Sequence, residues 1–199
     1  MFESVEKVVY INLDERKDRN AEIQRELLQA FPVTKIQRFS AIRHVKGAIG
    51  CTKSHIAVLE MAKAAGWANV LIVEDDLTWQ NYDAAASRFD ALLKSPYDVI
   101  VLGGSYVRCN PQTGRLQSCQ TTTGYIVAAH YYDTLLANFK ESLRAFEAGG
   151  PCAKFALDQY WKRLQPVGNW YVVQPLFCMQ RPGYSDIEQR TVDYTRFFK

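Results

Sequence analysis

Apolar runs and amphipathic segments alternate along the whole chain. Six strands are predicted, over residues 5–13, 33–39, 70–73, 98–102, 125–129 and 170–173. Apolar residues at three- and four-residue spacing predict helices over residues 15–30, 50–65, 82–93, 131–148 and 153–164. Between them, the polar and turn-rich residues 105–123 predict a loop or hairpin excursion, and residues after 173 a polar tail. Alternating strands and helices indicate an α/β domain with a mixed, mainly parallel sheet flanked by helices. Since neither an internal repeat nor a linker interrupts the pattern, residues 1–199 are expected to form a single domain.

The most informative stretch is the apolar run Val70–Val73, which ends in Glu74, Asp75 and Asp76. An apolar run without polar alternation predicts a strand buried on both faces. Three carboxylates cannot be buried in such a strand without partners, so they are placed at its carboxyl end, where α/β sheets bind ligands. Clustered carboxylate oxygens suit Mg²⁺ or Mn²⁺ carrying a substrate phosphate. A solvated acidic turn is the alternative, and the preceding buried strand favours the cation site.

Composition narrows the class of protein without defining it. The formal charge of +3, with no run of lysines and arginines, argues against a nucleic-acid partner. Five cysteines without CxxC spacing argue against a disulfide scaffold or a zinc ribbon, although Cys109 and Cys119 flank a turn and pairing between them stays open. With no visible signal peptide and no apolar run of membrane-spanning length, a cytoplasmic protein is expected. Peripheral membrane association remains an option through a short aromatic and basic patch, formed by Tyr194, Arg196, Phe197, Phe198 and Lys199.

Two further segments carry candidate binding residues. Asn12, Arg16 and Arg19 follow the first strand, where guanidinium groups can hold a diphosphate, or can be solvated helix charges. The segment Gly50–His55 opens a predicted helix, so its backbone N–H groups and Lys53 predict an anion cradle. Ser54 and His55 do not form a hydrolase pair, since helix neighbours point about 100° apart. His55 also lies on the apolar stripe of that helix, which is equally typical of a packed structural histidine.

One acid lies apart from these clusters. Asp158 is surrounded by bulky aromatic residues on a predicted helix, where a raised pKa would suit a general base. Helix capping or a surface ion pair is the alternative. The sequence contains neither GxxxxGK[ST] nor GxGxxG, which excludes a P-loop and argues against a nicotinamide-dependent oxidoreductase.

In this order along the chain, these segments resemble glycosyltransferase family 25, which contains lipopolysaccharide-type and collagen galactosyltransferases. The resemblance rests on INL with following arginines, on GxxGCxxSH at Gly47–His55, and on the acids at 74–76 about twenty residues later. Weaker matches follow at Tyr125 in TxxGYIV, at Asp158 in LDxY, and at 175–180 leading to 185–187. Lys53 departs from the pattern, the chain is shorter than typical members, and residues 108–118 have no counterpart.

That resemblance implies a Rossmann-like GT-A fold and an inverting transfer of galactose or glucose from a UDP-sugar to a hydroxyl of a glycan or a protein. It implies Mn²⁺, or Mg²⁺, held by Asp76 with Asp75 or Glu74, and a late metal ligand or phosphate anchor at Asp186. Asn12, Arg16 and Arg19 would seat the nucleotide, helped by the 53–55 segment, and Asp158 would deprotonate the acceptor. Two alternatives stay open: a nucleotidyltransferase that uses the same acids, and a non-catalytic nucleotide- or carbohydrate-binding module.

Overall fold

The structure is a computed structural model that describes residues 2–198. In chain order its elements are β1 (Lys7–Asn12), α1 (Lys17–Ala30), β2 (Ile36–Ser40), α2 (Gly47–Ala64), β3 (Asn69–Glu74), β4 (Leu77–Trp79), α3 (Tyr82–Leu93), β5 (Val99–Cys109), β6 (Leu116–Ala128), α4 (Tyr132–Glu147), α5 (Cys152–Phe155), α6 (Leu157–Tyr160), β7 (Trp170–Val172), β8 (Cys178–Gln180), β9 (Gly183–Ser185) and β10 (Arg190–Val192).

Six of these strands form one central sheet in the order β2–β1–β3–β6–β5–β7. Strand β6 pairs antiparallel with both β3 and β5, while the other pairings are parallel. Five strands of this sheet therefore run in one direction and β6 runs in the other. The predicted α/β domain with a mixed, mainly parallel sheet is confirmed.

The sheet separates two apolar layers, which explains the uninterrupted apolar run of β3. Val70 and Ile72 pack into the layer that also contains residues of α2 and α4. Leu71 and Val73 point to the opposite layer, which contains residues of α1 and α3. All four side chains are fully buried. Because each face of the strand is covered by helices, neither face requires polar residues.

Of the two alternatives for the stretch 105–123, the structure shows the hairpin, because β5 continues to Cys109 and β6 begins at Leu116, with an irregular pairing between them. Two other regions differ from the sequence-based expectation. The helix expected over 153–164 is broken at Ala156, whose ψ of 145° is extended, so two short helices replace it. The polar tail contains three short strands: β8 pairs with β4, and β9 pairs with β10.

The five cysteines are free thiols, so the Cys109–Cys119 pairing does not form in this structure. Phe198 is 5% exposed and packs into the core, so it does not contribute an exposed ring to the C-terminal patch. Lys199 of that patch lies outside the described residues. Within residues 2–198, the helices are too short or too polar for any of them to cross a membrane.

Candidate functional site

A pocket of about 900 Å³ lies at the carboxyl ends of β1 and β3. Its walls come from these strand ends, from α2, from the loop that precedes α2 and from the β9–β10 hairpin. The acids at 74–76 all line it. Another concavity, between α2 and α4, is lined by exposed charges that pair with each other, such as Lys63 with Asp133. The strand-end pocket is therefore the candidate site.

Asp75 is held by two neighbours. Its Oδ2 accepts a hydrogen bond from Asn12 Nδ2 at 2.7 Å, and its Oδ1 accepts one from Arg19 Nη1 at 2.8 Å. Asn12 is itself buried, bonds Arg16 and Arg38 as well, and does not line the pocket. The structure thus places Asn12 behind Asp75, where it orients the carboxylate.

Asp76 is the acid with an unused oxygen. Its Oδ2 lies 3.3 Å from Arg19 Nη1, whereas its Oδ1 is buried and has no hydrogen-bond partner among residues 2–198. Burial, and then the charge of Glu74, raises the pKa of Asp76 to about 7. A buried carboxylate oxygen without a partner is costly, and a divalent cation would supply the missing interaction. The residues present therefore fit Mg²⁺ or Mn²⁺, and Oδ1 of Asp76 is the atom that would bind the ion.

Glu74 lies among different neighbours. Thr122 Oγ1 donates to its Oε1 at 2.7 Å, and Gln180 Nε2 donates to its Oε2 at 3.3 Å. His55 Nε2 and Cys51 Sγ lie 3.5 Å and 3.9 Å from the same Oε1. Burial raises the pKa of Glu74, but the His55 and Thr122 contacts outweigh it, so the pKa lies below its ordinary value. Glu74 is therefore an ionised acceptor in a polar cluster.

The two predicted nucleotide-binding arginines already have partners. Arg16 pairs with Asp18 and with Asp186, the latter at 2.6 Å. Arg19 reaches Asp75 and Asp76, and also donates to the Tyr184 carbonyl oxygen at 2.8 Å. Asp186 lines the pocket through its position in the hairpin. Arg19 thus connects this hairpin to Asp75 and Asp76. Asp186, expected to be a metal ligand or a phosphate anchor, is already paired with Arg16.

The Gly50–His55 segment does not begin a helix. It lies inside α2, which starts at Gly47, so most of its N–H groups are used within the helix. Lys53 Nζ pairs with Glu147 of α4 at 2.8 Å and does not line the pocket. Ser54 is buried, donates to the Gly50 carbonyl and accepts from the Ile42 N–H, both at 2.8 Å. The expected anion cradle is corrected: helix phase turns Lys53 away, and Ser54 anchors the loop before α2.

Gly50 has a steric role in the same contact. A Cβ at this position would lie 2.4 Å from the Ile42 carbonyl oxygen. Gly50 and Ser54 thus let the pocket-lining loop 41–45 pack closely on α2, which explains both residues structurally.

Asp158 lies in α6 and does not line the pocket. Its Oδ2 accepts a hydrogen bond from the Thr121 N–H at 3.1 Å. Burial raises the pKa of Asp158, with Glu74 adding to the effect. The raised pKa fits the sequence-based expectation, while its role as a base stays a prediction.

Several residues of the site were not singled out from the sequence. Arg43, Tyr184 and Gln189 line the pocket, and Thr122 and Gln180 bond Glu74. Thr122 reaches Glu74 because β6 pairs with β3, and Gln180 reaches it because β8 pairs with β4. Contacts between such distant strands have no local pattern in the sequence. For Cys51 a signal exists: it shares one helical stripe with His55.

Comparison with known proteins gives the fold and corrects the function. No protein-family model matches the sequence, and no curated protein matches it. A mannose-1-phosphate geranyltransferase from Thermus thermophilus is similar in structure, with a TM-score of 0.53 at 11% identity, covering 85% of this chain and 73% of that one. A197 from STIV is similar too, with a TM-score of 0.50 at 12% identity, covering 94% and 93%. At these identities the likeness shows the α/β fold alone.

The expected UDP-hexose glycosyltransferase is contradicted by this comparison. One structurally similar protein is named for mannose 1-phosphate rather than for a UDP-sugar. The error has a physical reason. Acids at a strand end bind a metal ion and phosphates in glycosyltransferases and in nucleotidyltransferases alike, so the motif does not distinguish transfer of a sugar from transfer of a nucleotide. The resemblance to family 25 itself stays a prediction.

Proposed function

We propose that this protein is a nucleotidyltransferase that joins a nucleoside monophosphate unit to a sugar 1-phosphate. The observation that carries the proposal is the buried, unpartnered Oδ1 of Asp76 beside Arg19, in a pocket at the carboxyl edge of the sheet. The fold, which is similar to that of a mannose-1-phosphate geranyltransferase, supports the same class of substrate. A volume of about 900 Å³ lies within the range of small-molecule sites.

Asp76 would hold a divalent cation, with Glu74 and Asp75 adding negative charge beside it. When bound, Mg²⁺ or Mn²⁺ would neutralise negative charge on the triphosphate oxygens. Arg19 and Arg43 line the same pocket and supply positive charge of the protein itself. Such a set of charges suits a triphosphate, whose transfer depends mainly on positioning and electrostatic stabilisation.

The chemistry balances without a redox partner. A phosphate oxygen of the sugar 1-phosphate forms a bond to the α-phosphorus of the nucleoside triphosphate. The bond from that phosphorus to the oxygen bridging to the β-phosphorus breaks, and pyrophosphate leaves. The attacking phosphate is already ionised at neutral pH, so the reaction requires no general base.

The experiment is a pyrophosphate-release assay on the full chain with each nucleoside triphosphate, Mg²⁺, and glucose 1-phosphate or mannose 1-phosphate. We expect release that depends on both substrates. Asp76→Asn should lower it at least a hundredfold, since the variant loses a metal-binding charge, and Asp133→Asn, at a 74% exposed side chain, should not. Release of UDP from a UDP-sugar, with no pyrophosphate from any triphosphate, would overturn the proposal.

A further inference from the structure

Beside the acids of the proposed nucleotide site lies a second group of potential metal ligands with different chemistry. We propose that Cys51, His55 and Glu74 bind a zinc ion, or a similar d-block divalent cation. The three residues offer one sulfur, one imidazole nitrogen and one carboxylate oxygen, all within 4.8 Å of one another. This set suits zinc, whereas Mg²⁺ prefers oxygen ligands alone.

The distances are close to those of a tetrahedral site. Glu74 Oε1 lies 3.5 Å from His55 Nε2 and 3.9 Å from Cys51 Sγ. Ligand atoms bound to zinc at about 2.0–2.3 Å lie roughly 3.3–3.6 Å from one another. The two distances from Glu74 Oε1 therefore lie within a few tenths of an ångström of tetrahedral values, and the sulfur and the nitrogen lie within 4.8 Å of each other.

The unused nitrogen of His55 is an independent observation. His55 is fully buried, and its Nε2 has no hydrogen-bond partner in the part of the chain that the structure describes. Its other nitrogen, Nδ1, lies 2.8 Å from the Tyr125 hydroxyl. In the tautomer whose Nδ1–H donates to Tyr125, Nε2 keeps a lone pair for a metal ion shared with Glu74 and Cys51. A hydrogen bond that fixes the tautomer in this way is typical of metal-bound histidines.

The fold holds the three ligands on rigid elements, at the wall of the pocket. Cys51 and His55 are four residues apart on one face of α2, and Glu74 ends β3. Thr122 and Gln180 fix the carboxylate of Glu74. All three ligands line the pocket, which provides an entry path. Three protein ligands leave one tetrahedral position open, as in zinc sites that bind water or a substrate.

The experiment adds Co²⁺ to the metal-free full chain and records the cobalt–thiolate charge-transfer absorption in the near ultraviolet. One equivalent of Co²⁺ should produce the band, and Zn²⁺ should displace it. Cys51→Ser should abolish the band, whereas Cys152→Ser, at an exposed cysteine, should keep it. Glu74→Gln should keep the thiol but weaken Co²⁺ binding at least tenfold.

Two results would overturn this proposal. One is absence of the band in the folded wild-type protein, which would make the cluster a metal-free His55–Glu74 contact. The other is an unchanged band in Cys51→Ser with folding verified by circular dichroism. Because the readout requires no nucleotide, its outcome is independent of the pyrophosphate-release assay.

Discussion

Arg16, just before helix α1, and Asp186, next to strand β9, form an ion pair with an Nη1–Oδ2 distance of 2.6 Å across 170 positions of sequence. Arg19 adds a hydrogen bond to the carbonyl of Tyr184 in the same hairpin. Residues expected from the sequence to hold a diphosphate therefore also hold the C-terminal hairpin over the pocket. A phosphate bound by these same guanidinium groups would therefore be coupled to the position of the hairpin.

Asp186→Asn should loosen the hairpin. The Arg16 and Asp186 side chains are 17% and 34% exposed, so we expect a loss of about 1 kcal/mol, or roughly fivefold faster local opening. Hydrogen exchange of residues 183–192 measures this opening. Asp18→Asn is the matched control, because Asp18 binds the same guanidinium but does not reach the hairpin. Equal protection in Asp186→Asn and wild type would show that the pair does not fasten the hairpin.

Asp158→Asn should leave pyrophosphate release within a few-fold of wild type. The carboxylate does not line the pocket, and an ionised phosphate nucleophile requires no base. The amide oxygen of the variant can still accept the hydrogen bond from the Thr121 N–H. A loss of a hundredfold or more in a folded variant would instead assign Asp158 a direct catalytic role.

The same variant should change the pH dependence of stability. Burial raises the pKa of Asp158 in the folded protein, so stability falls as the pH rises from the unfolded-state pKa through the folded-state pKa. The amide introduced by Asp158→Asn does not ionise, so the variant should be more stable than wild type above that window. The difference should shrink towards zero as the pH falls to about 4. Urea unfolding at pH 8 and pH 4 measures both ends, and a gain that grows on acidification would contradict this sign.

Gly103→Ala should strongly destabilise the fold. A Cβ at Gly103 would lie 2.0 Å from the carbonyl oxygen of Cys178, where β5 meets the start of β8. Relief of this overlap requires backbone movement, which we expect to cost about 3 kcal/mol or more. For a chain of this size the melting temperature should fall by about 6 °C or more. Gly183→Ala is the control, since its Cβ would meet no atom within 4 Å, and equal losses in both variants would reject the steric account.

Lys53→Ala should leave nucleotide affinity unchanged within about twofold. Its ammonium group pairs with Glu147 on α4 and lies outside the pocket, and a partly exposed pair of this kind contributes about 1 kcal/mol or less to stability. Titration with a nucleoside triphosphate measures the affinity. Arg43→Ala, which removes a cation that lines the pocket, should weaken binding by comparison. A large loss of nucleotide affinity in Lys53→Ala but not in Arg43→Ala would show that Lys53 contacts the nucleotide.

The sequence predicts those parts of this fold that depend on local patterns. The run Val70–Val73 is a buried strand with its acids at the pocket edge, and the helix Tyr82–Leu93 has the predicted bounds. Both follow from residues close together in the chain, where burial and helical spacing are directly visible.

Contacts between distant segments are what the sequence does not reveal. The choice between Asp75 and Asp76 as the acid with a free oxygen depends on Asn12, which is 63 positions from Asp75. The direction of Lys53 depends on where α2 begins, and the distant partner of Arg16, Asp186, lies in a segment expected only as a polar tail. The position of a residue around its helix and its contacts with distant segments determine these roles. The sequence therefore identifies candidate residues, but it does not show what several of them contact.

The reversed direction of β6 has a consequence for how the protein folds. Strands β5 and β6 are consecutive and can pair early as a hairpin, but the bond from Thr122 to Glu74 joins residues 48 positions apart. Such long-range pairing must overcome a larger loop-closure entropy. We therefore expect the environment of Glu74 to be completed late, when the preformed hairpin docks on β3. The surroundings of the two proposed cation sites would then be organised only in the last stage of folding, after most of the sheet exists.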